Sequence, residues 1–341
     1  MRKDESIETL RAIAITLVVS LHLTHDAPLA PARDFYEFLS YTFQNLRLPL
    51  FTVISGYIYA TRPVVSGKYG EFVQGKLRRV FLPLVCVSTI EFLITALAPG
   101  IHNPQAITSI WRIYILPYET YWFLQSIFLV FLLVGLIESR GRITTPKNWL
   151  IAVAISVVLH FGYPAIKIKP DFFSLGSVSY LLPFFLVGLG IQRFPSHMMS
   201  KRSVLAAGTI FAASFVLQQL NWFRGGEFIN SSKGSLLGLA VGTSACLILF
   251  KVRRGNRALA WVGSYAYTIY LFESFGAGVG RRLLNIPGIN PHLYFVGVLA
   301  LTLSVGIAIE NTVGRIPYVR TFLLGKHWPT LPSSSKVAAG A

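Results

Sequence analysis

The chain has 341 residues, of which 53% are hydrophobic and 13% charged, with a formal net charge of +17. The charged share is about half that of a soluble domain, and the charges fall between apolar runs of roughly 18 to 22 residues, long enough for a helix to cross about 30 Å of hydrocarbon. This excludes a soluble globular enzyme. Nucleic-acid binding is set aside because the basic residues punctuate the runs, and Cys86 and Cys246 lie inside runs, which leaves no disulfide framework and no metal pattern.

The runs must be helices, since lipid offers no partner to an unpaired backbone amide. Ten are predicted, at 8–25, 44–60, 80–98, 120–137, 148–165, 176–192, 203–219, 234–250, 259–277 and 293–313. The start of the chain mimics a signal peptide, with Arg2-Lys3 ahead of an apolar stretch and Ala30-Pro31-Ala32 behind it. However, Asp4, Glu5 and Glu8 cancel the positive charge such a signal needs, so the segment is expected to stay as the first span. The aromatic stretch 106–118 is too short to span and reads as interfacial; the Pro/Ser-rich tail 326–341 reads as disordered. The expected fold class is therefore an all-α integral membrane protein, with one transmembrane domain over 1–325.

Lysines and arginines orient it. The N-terminus, 61–79, 138–147, 193–202, 251–257 and the C-terminus hold 21 of them, whereas the alternating segments hold 9. Both termini are therefore expected on the cytoplasmic side.

Ionisable groups at membrane depth each cost on the order of 2.5–3.5 kcal/mol and need a reason. The first span is the densest, with Glu8, Arg11, His22 and His25. At 100° per residue Arg11 and His22 share a face about 16.5 Å apart, and Glu8 and His25 extend the stripe at either end. A neutral imidazole at the outer end of such a seam is a natural proton acceptor; snorkelling or structural pairing is the plain alternative. Lys76, Arg78 and Arg79, ahead of the third span, suit either topology setting or the binding of nucleotide-like phosphates. Ser55-Gly56 allows a close helix approach or a kink. Trp122, in Tyr121-Trp122-Phe123, fits an aromatic belt or a sugar-stacking platform. Glu91, Glu273 and Glu310 could orient a histidine, pair with Arg281 or Arg282, or relay protons. No nucleotide-binding glycine loop and no serine-hydrolase elbow occurs.

At these residues the chain resembles the acyltransferase family 3 membrane proteins, which modify sugars and surface polysaccharides. Arg11 and His22 match that family's arginine, ten residues, histidine signature; Phe51 to Ser55-Gly56-Tyr57 matches its Phe-x-x-x-Ser-Gly-aromatic element. Lys76 and Arg79 before Pro83, Trp122-Phe123-Leu124, and Tyr267-Thr268-Ile269-Tyr270-Leu271 follow in the family's order. The chain departs from the pattern at Ala266, where serine is usual, and at Glu273, where many members carry histidine. The resemblance covers roughly 5–315 and implies the stand-alone form, in a bacterial inner membrane.

It further implies an O-acyltransferase, most often acetylating, that takes its acyl group from acetyl-CoA or another acyl-CoA as donor substrate. The acceptor would be a glycan such as an exopolysaccharide or a lipid-linked oligosaccharide; membrane lipid is the only other partner expected, with no nucleic acid, no bound cofactor and no metal. His22 would be the general base, with Arg11 polarising the donor and Lys76, Arg78 and Arg79 holding its phosphates. Glu8, His25, Ser55 and Trp122 would support the site. A secondary transporter is the rival reading, and it would require inverted repeats with paired broken helices.

Overall fold

A computed structural model describes residues 4–97, 106–166 and 170–329, and these are helical with no strand among them. α1 (Glu5–Leu23) is started by Asp4, whose carboxylate accepts from the Ser6 amide at 2.9 Å, with Glu5 and Glu8 in the first turn where the helix dipole favours them. A prolyl turn, Ala27–Ala32, leads into the amphipathic α2 (Arg33–Phe43), and α3 (Arg47–Thr61) follows. α4 (Tyr69–Lys76) runs through a π-helical turn, Leu77–Phe81, into α5 (Leu82–Leu97). The short α6 (Arg112–Ile115) lies between 3-10 turns in the stretch read as interfacial. Next come α7 (Trp122–Ser139), α8 (Pro146–Ile166), α9 (Leu175–Arg193), the single turn α10 (Pro195–Met198), α11 (Lys201–Phe223) and α12 (Leu236–Val252). α13 (Arg257–Gly263), α14 (Ala266–Leu271), α15 (Glu273–Leu283), α16 (Pro291–Val313) and α17 (Val319–Leu324) complete the described chain.

Each of the ten predicted runs is helical. Among the described residues six helical stretches are long and apolar enough to cross a membrane: Glu5–Leu23, Tyr69–Leu97, Ile107–Ser139, Phe172–Arg193, Lys201–Phe223 and Pro291–Val313. α3 and α12 are shorter, at 15 and 17 residues. The ninth run, expected as one helix over 259–277, is broken into α13, α14 and α15. The backbone leaves the helix at Tyr265 and again at Phe272 (φ −114°, ψ 19°). Part of the reason is packing: a Cβ on Gly263 would fall 1.8 Å from the Glu8 carbonyl oxygen, so α13 lies against α1 at backbone contact.

The core centres on α9, which is buried without interruption from Ser179 to Ile191. It meets α3 through reciprocal glycines. A Cβ on Gly56 would stand 1.9 Å from the Phe185 carbonyl oxygen, and one on Gly188 would stand 1.9 Å from that of Val53. The Ser55-Gly56 step is thus a close-approach site, one of the two options open from sequence, and α3 continues through it without a kink. A bidentate pair, Arg193 to Glu138 at 2.7 and 2.6 Å, locks α9 to α7. α11 lies at the periphery, where Leu205, Ile210, Val216 and Leu220 face outward as a lipid-facing helix requires. Of the tail expected to be disordered, 326–329 are held: Lys326 pairs with Glu310 at 2.7 Å and Trp328 packs edge-on against Phe322. Residues 330–341 lie outside the described residues.

Candidate active site

α1 is unbroken from Glu5 to Leu23, so Arg11 and His22 do share a face, about 16.5 Å apart by helical rise. Arg11 donates to both oxygens of Glu8, at 2.9 and 3.2 Å, which is the pairing foreseen for that end of the seam. His25 is a correction. The helix ends at Leu23, and Thr24 caps it by donating its hydroxyl to the Leu21 carbonyl at 2.8 Å. His25 is therefore off the helix, exposed and outside the stripe.

At the far end His22 meets an acid. Its Nδ1 stands 2.7 Å from Oε1 of Glu273, whose side chain is 4% exposed against 39% for His22. The contact is at ion-pair distance without the alignment of a hydrogen bond, and among the described residues neither Glu273 oxygen has a hydrogen-bond partner. Glu273 is the first residue of α15, so the break at Phe272 sets it at a helix start, where a carboxylate is favoured by the dipole. Of the roles open to Glu273 from sequence, orienting a histidine is the one this geometry fits; Arg281 goes elsewhere. It donates to Asp26 at 3.0 Å and to the His22 carbonyl at 2.9 Å, while the Tyr294 hydroxyl donates to Asp26 at 2.9 Å. Behind Glu273, Glu91 accepts from the buried Tyr121, which also reaches the Leu271 carbonyl, and Tyr270 donates to the Thr120 carbonyl. Asp26 and Arg281 were not singled out as a pair because their partners come from 255 residues away.

The opposite end of the bundle carries the basic run, and the structure does not gather its three cations. Lys76 turns inward, its Nζ 3.1 Å from the centre of the Phe131 ring and 5.4 Å from that of Phe72. Arg78 lies 2.6 Å from Nδ1 of His327, and Arg79 is exposed with no side-chain partner among the described residues. Tyr267, from the Tyr-Thr-Ile-Tyr element, donates to the Arg79 carbonyl at 2.8 Å and ties α14 to this run. Glu310 is taken by Lys326 and Thr268. Arg253, which was not singled out, reaches Ser6 at 3.1 Å and the Tyr57 hydroxyl at 3.4 Å. Ser55 bonds back to the Phe51 carbonyl at 2.9 Å and joins neither cluster. Trp122 is half-buried at the His22 end, under the ammonium of Lys233.

Among the described residues no three His, Cys, Asp or Glu side chains converge as metal ligands. A cavity of about 700 Å³ between α8, α11 and α12 is lined by Phe161, Ile210 and Leu217 among others, has no ionisable group in its lining, and lies away from His22.

The arrangement can do one thing chemically at the His22 end. A half-exposed imidazole whose Nδ1 faces a buried carboxylate keeps Nε2 free to accept a proton, and the carboxylate stabilises the cation that results. Compared with known families, residues 4–311 match the family described as an acyltransferase domain. No curated protein and no solved structure matches the chain.

Proposed function

Because the chain belongs to this acyltransferase family, we propose that it is a membrane-embedded O-acyltransferase. It moves an acyl group, acetyl first among the candidates, from cytoplasmic acyl-CoA to a hydroxyl of a cell-surface or lipid-linked glycan. The reading includes ten spans with both termini cytoplasmic, in a bacterial inner membrane, and the 21-to-9 division of basic residues supports it.

The observation that carries the chemistry is His22 against the buried carboxylate of Glu273. In the proposed step the acceptor hydroxyl attacks the thioester carbonyl carbon while His22 Nε2 takes its proton. The carbon–sulfur bond then breaks, and the proton passes to the leaving CoA thiolate. Glu273 acts through His22, holding the Nδ1–H tautomer and stabilising the imidazolium. Arg11, paired with Glu8, would polarise a thioester that enters from the basic run. The exposed Arg79 would meet the CoA phosphates first, with Arg78, now against His327, and the inward-turned Lys76 contributing less. Since Arg11 and His22 are too far apart to share a hydrogen bond, the donor would bridge them, and the acceptor would approach from the His22 side.

Proteoliposomes loaded with acetyl-CoA and supplied outside with a membrane-impermeant glycan test the whole reading. Acylation of the outside glycan is expected, and His22→Ala should abolish it at unchanged protein abundance. Wild-type acylation by the His22→Ala protein would remove His22 from the mechanism, and no transfer across the bilayer would sink the two-sided arrangement.

A further inference from the structure

We infer that Arg47 and Lys233 form a binding site for a phosphate-bearing group at the His22 end of the bundle. Neither residue belongs to the transfer machinery described above. Arg47, the first residue of α3, is 7% exposed, and among the described residues its five donors find one long contact, NH1 to the Ser40 hydroxyl at 3.4 Å. Lys233 lies at the mouth, its ammonium 4.8 Å from the centre of the Trp122 ring and 5.9 Å from that of Tyr180. Among the described residues neither cation is within ion-pair distance of a carboxylate. Elsewhere in the bundle the part-buried Arg193 has Glu138 and Lys76 packs on Phe131 and Phe72, as Lys233 packs on Trp122 and Tyr180, whereas among the described residues the buried Arg47 has neither an acid nor an aromatic pair.

The placement is held firmly. The segment bearing Lys233 is bolted to the residues just before Arg47. The Tyr41 hydroxyl donates to Ser231 at 2.9 Å, Gln44 donates to the Ser231 carbonyl at 3.2 Å, and Asn45 donates to the same carbonyl at 3.0 Å and to Gln218 at 2.9 Å. Asn221 adds bonds to the Ser231 hydroxyl and the Ile229 amide. Arg47 and Lys233 lie close enough to repel each other, on segments tied together through Ser231, Gln44 and Asn45, so an anion that meets both completes the arrangement. A guanidinium fork with a nearby ammonium matches the doubly charged oxygens of a phosphate or pyrophosphate better than a single carboxylate. Trp122 and Tyr180 supply aromatic walls on which a sugar ring can stack.

The site is connected to the transfer centre by packed rings. Trp122 meets Phe123, and Phe123 meets both Phe51, one turn along α3 from Arg47, and Tyr270, one turn before Glu273. A phosphate held here would belong either to the acceptor, with its hydroxyl at His22, or to the headgroup of a membrane phospholipid. Assigning it to the acceptor rests on the acyl-transfer reading; the anion site itself does not.

The test is therefore a binding experiment that needs no turnover. The full chain in nanodiscs of pure phosphatidylcholine is titrated with inorganic pyrophosphate by isothermal calorimetry. Saturable binding is expected, weakened at least tenfold by Arg47→Gln and several-fold by Lys233→Gln, and largely kept by Arg47→Lys. The exposed position of Lys233 makes its variant informative even where Arg47→Gln folds poorly. Repeating the titration with phosphatidylglycerol in the discs separates the sources. Competition assigns the site to a phospholipid headgroup, and undiminished pyrophosphate binding assigns it to a soluble phosphate such as the acceptor's. Absence of saturable binding, or equal affinity in wild type, Arg47→Gln and Lys233→Gln, overturns the inference, and either result leaves the His22 mechanism where it stood.

Discussion

Replacing Glu273 by Gln keeps the shape of the side chain and removes its charge, which isolates what the carboxylate does for His22. At the observed 2.7 Å and an effective dielectric of about 20, a full ion pair would contribute about 6 kcal/mol, an upper bound for the imidazolium formed during transfer. His22 is 39% exposed, so solvent screens much of that. Screening to about a quarter of that bound leaves about 1.4 kcal/mol, or roughly tenfold in rate. We expect kcat for glycan acylation to fall about tenfold in Glu273→Gln, with KM for acyl-CoA unchanged because the donor is held at the other end. Single-turnover transfer from radiolabelled acetyl-CoA measures the step directly. Any residual transfer in a His22→Ala background should be insensitive to the same substitution, since Glu273 acts through the imidazole. A Glu273→Gln protein with kcat within twofold of wild type would refute the positioning role.

Arg79→Ala should raise KM for acyl-CoA about tenfold at low salt while leaving kcat within twofold, whereas Lys76→Met, which replaces an ammonium packed on two rings, should change KM less; steady-state kinetics on both variants decides this. Glu138→Gln strands Arg193 and should cost about 3–5 kcal/mol, read as a lowered melting midpoint in detergent, while the double variant Glu138→Gln with Arg193→Met should recover much of it. Gly56→Ala forces α3 and α9 apart, because its Cβ would sit 1.9 Å from the Phe185 carbonyl oxygen, and should cost about 1–3 kcal/mol; Ser55→Ala next to it should be nearly neutral in the same melting assay.

The helices were legible in the sequence because membrane insertion is written locally: an apolar run of sufficient length has no other stable conformation in lipid. The shared face of Arg11 and His22 was legible for the same reason, since eleven residues on one unbroken helix fix both separation and phase. What was not legible depended on breaks and on distant partners. With Thr24 as its cap, α1 ends at Leu23, two residues before the polar stripe would have ended, which removes His25. The departure from helix at Phe272 brings Glu273 to the start of α15, and no periodicity in the ninth run signals it. Arg47 and Lys233 each look like ordinary loop cations in isolation. Their juxtaposition arises from the hydrogen bonds of Ser231, Asn45 and Gln218, residues with nothing distinctive in their neighbourhood of the chain.

The π-helical turn at Leu77–Phe81 has a further consequence for the basic run it contains. There the Leu82 amide bonds to the Leu77 carbonyl, one position further back than in an α-helix, so the turn holds one residue more than regular geometry would allow. An added residue advances the azimuth by about 100°, so Lys76, just ahead of the turn, and Arg79, within it, are no longer tied to one direction. Lys76 can point into the aromatic interior while Arg79 faces solvent, although the two are only three positions apart. The irregular turn thus works like a swivel in the chain, letting a single short stretch of like charges serve the interior of the bundle with one member and the water outside with another.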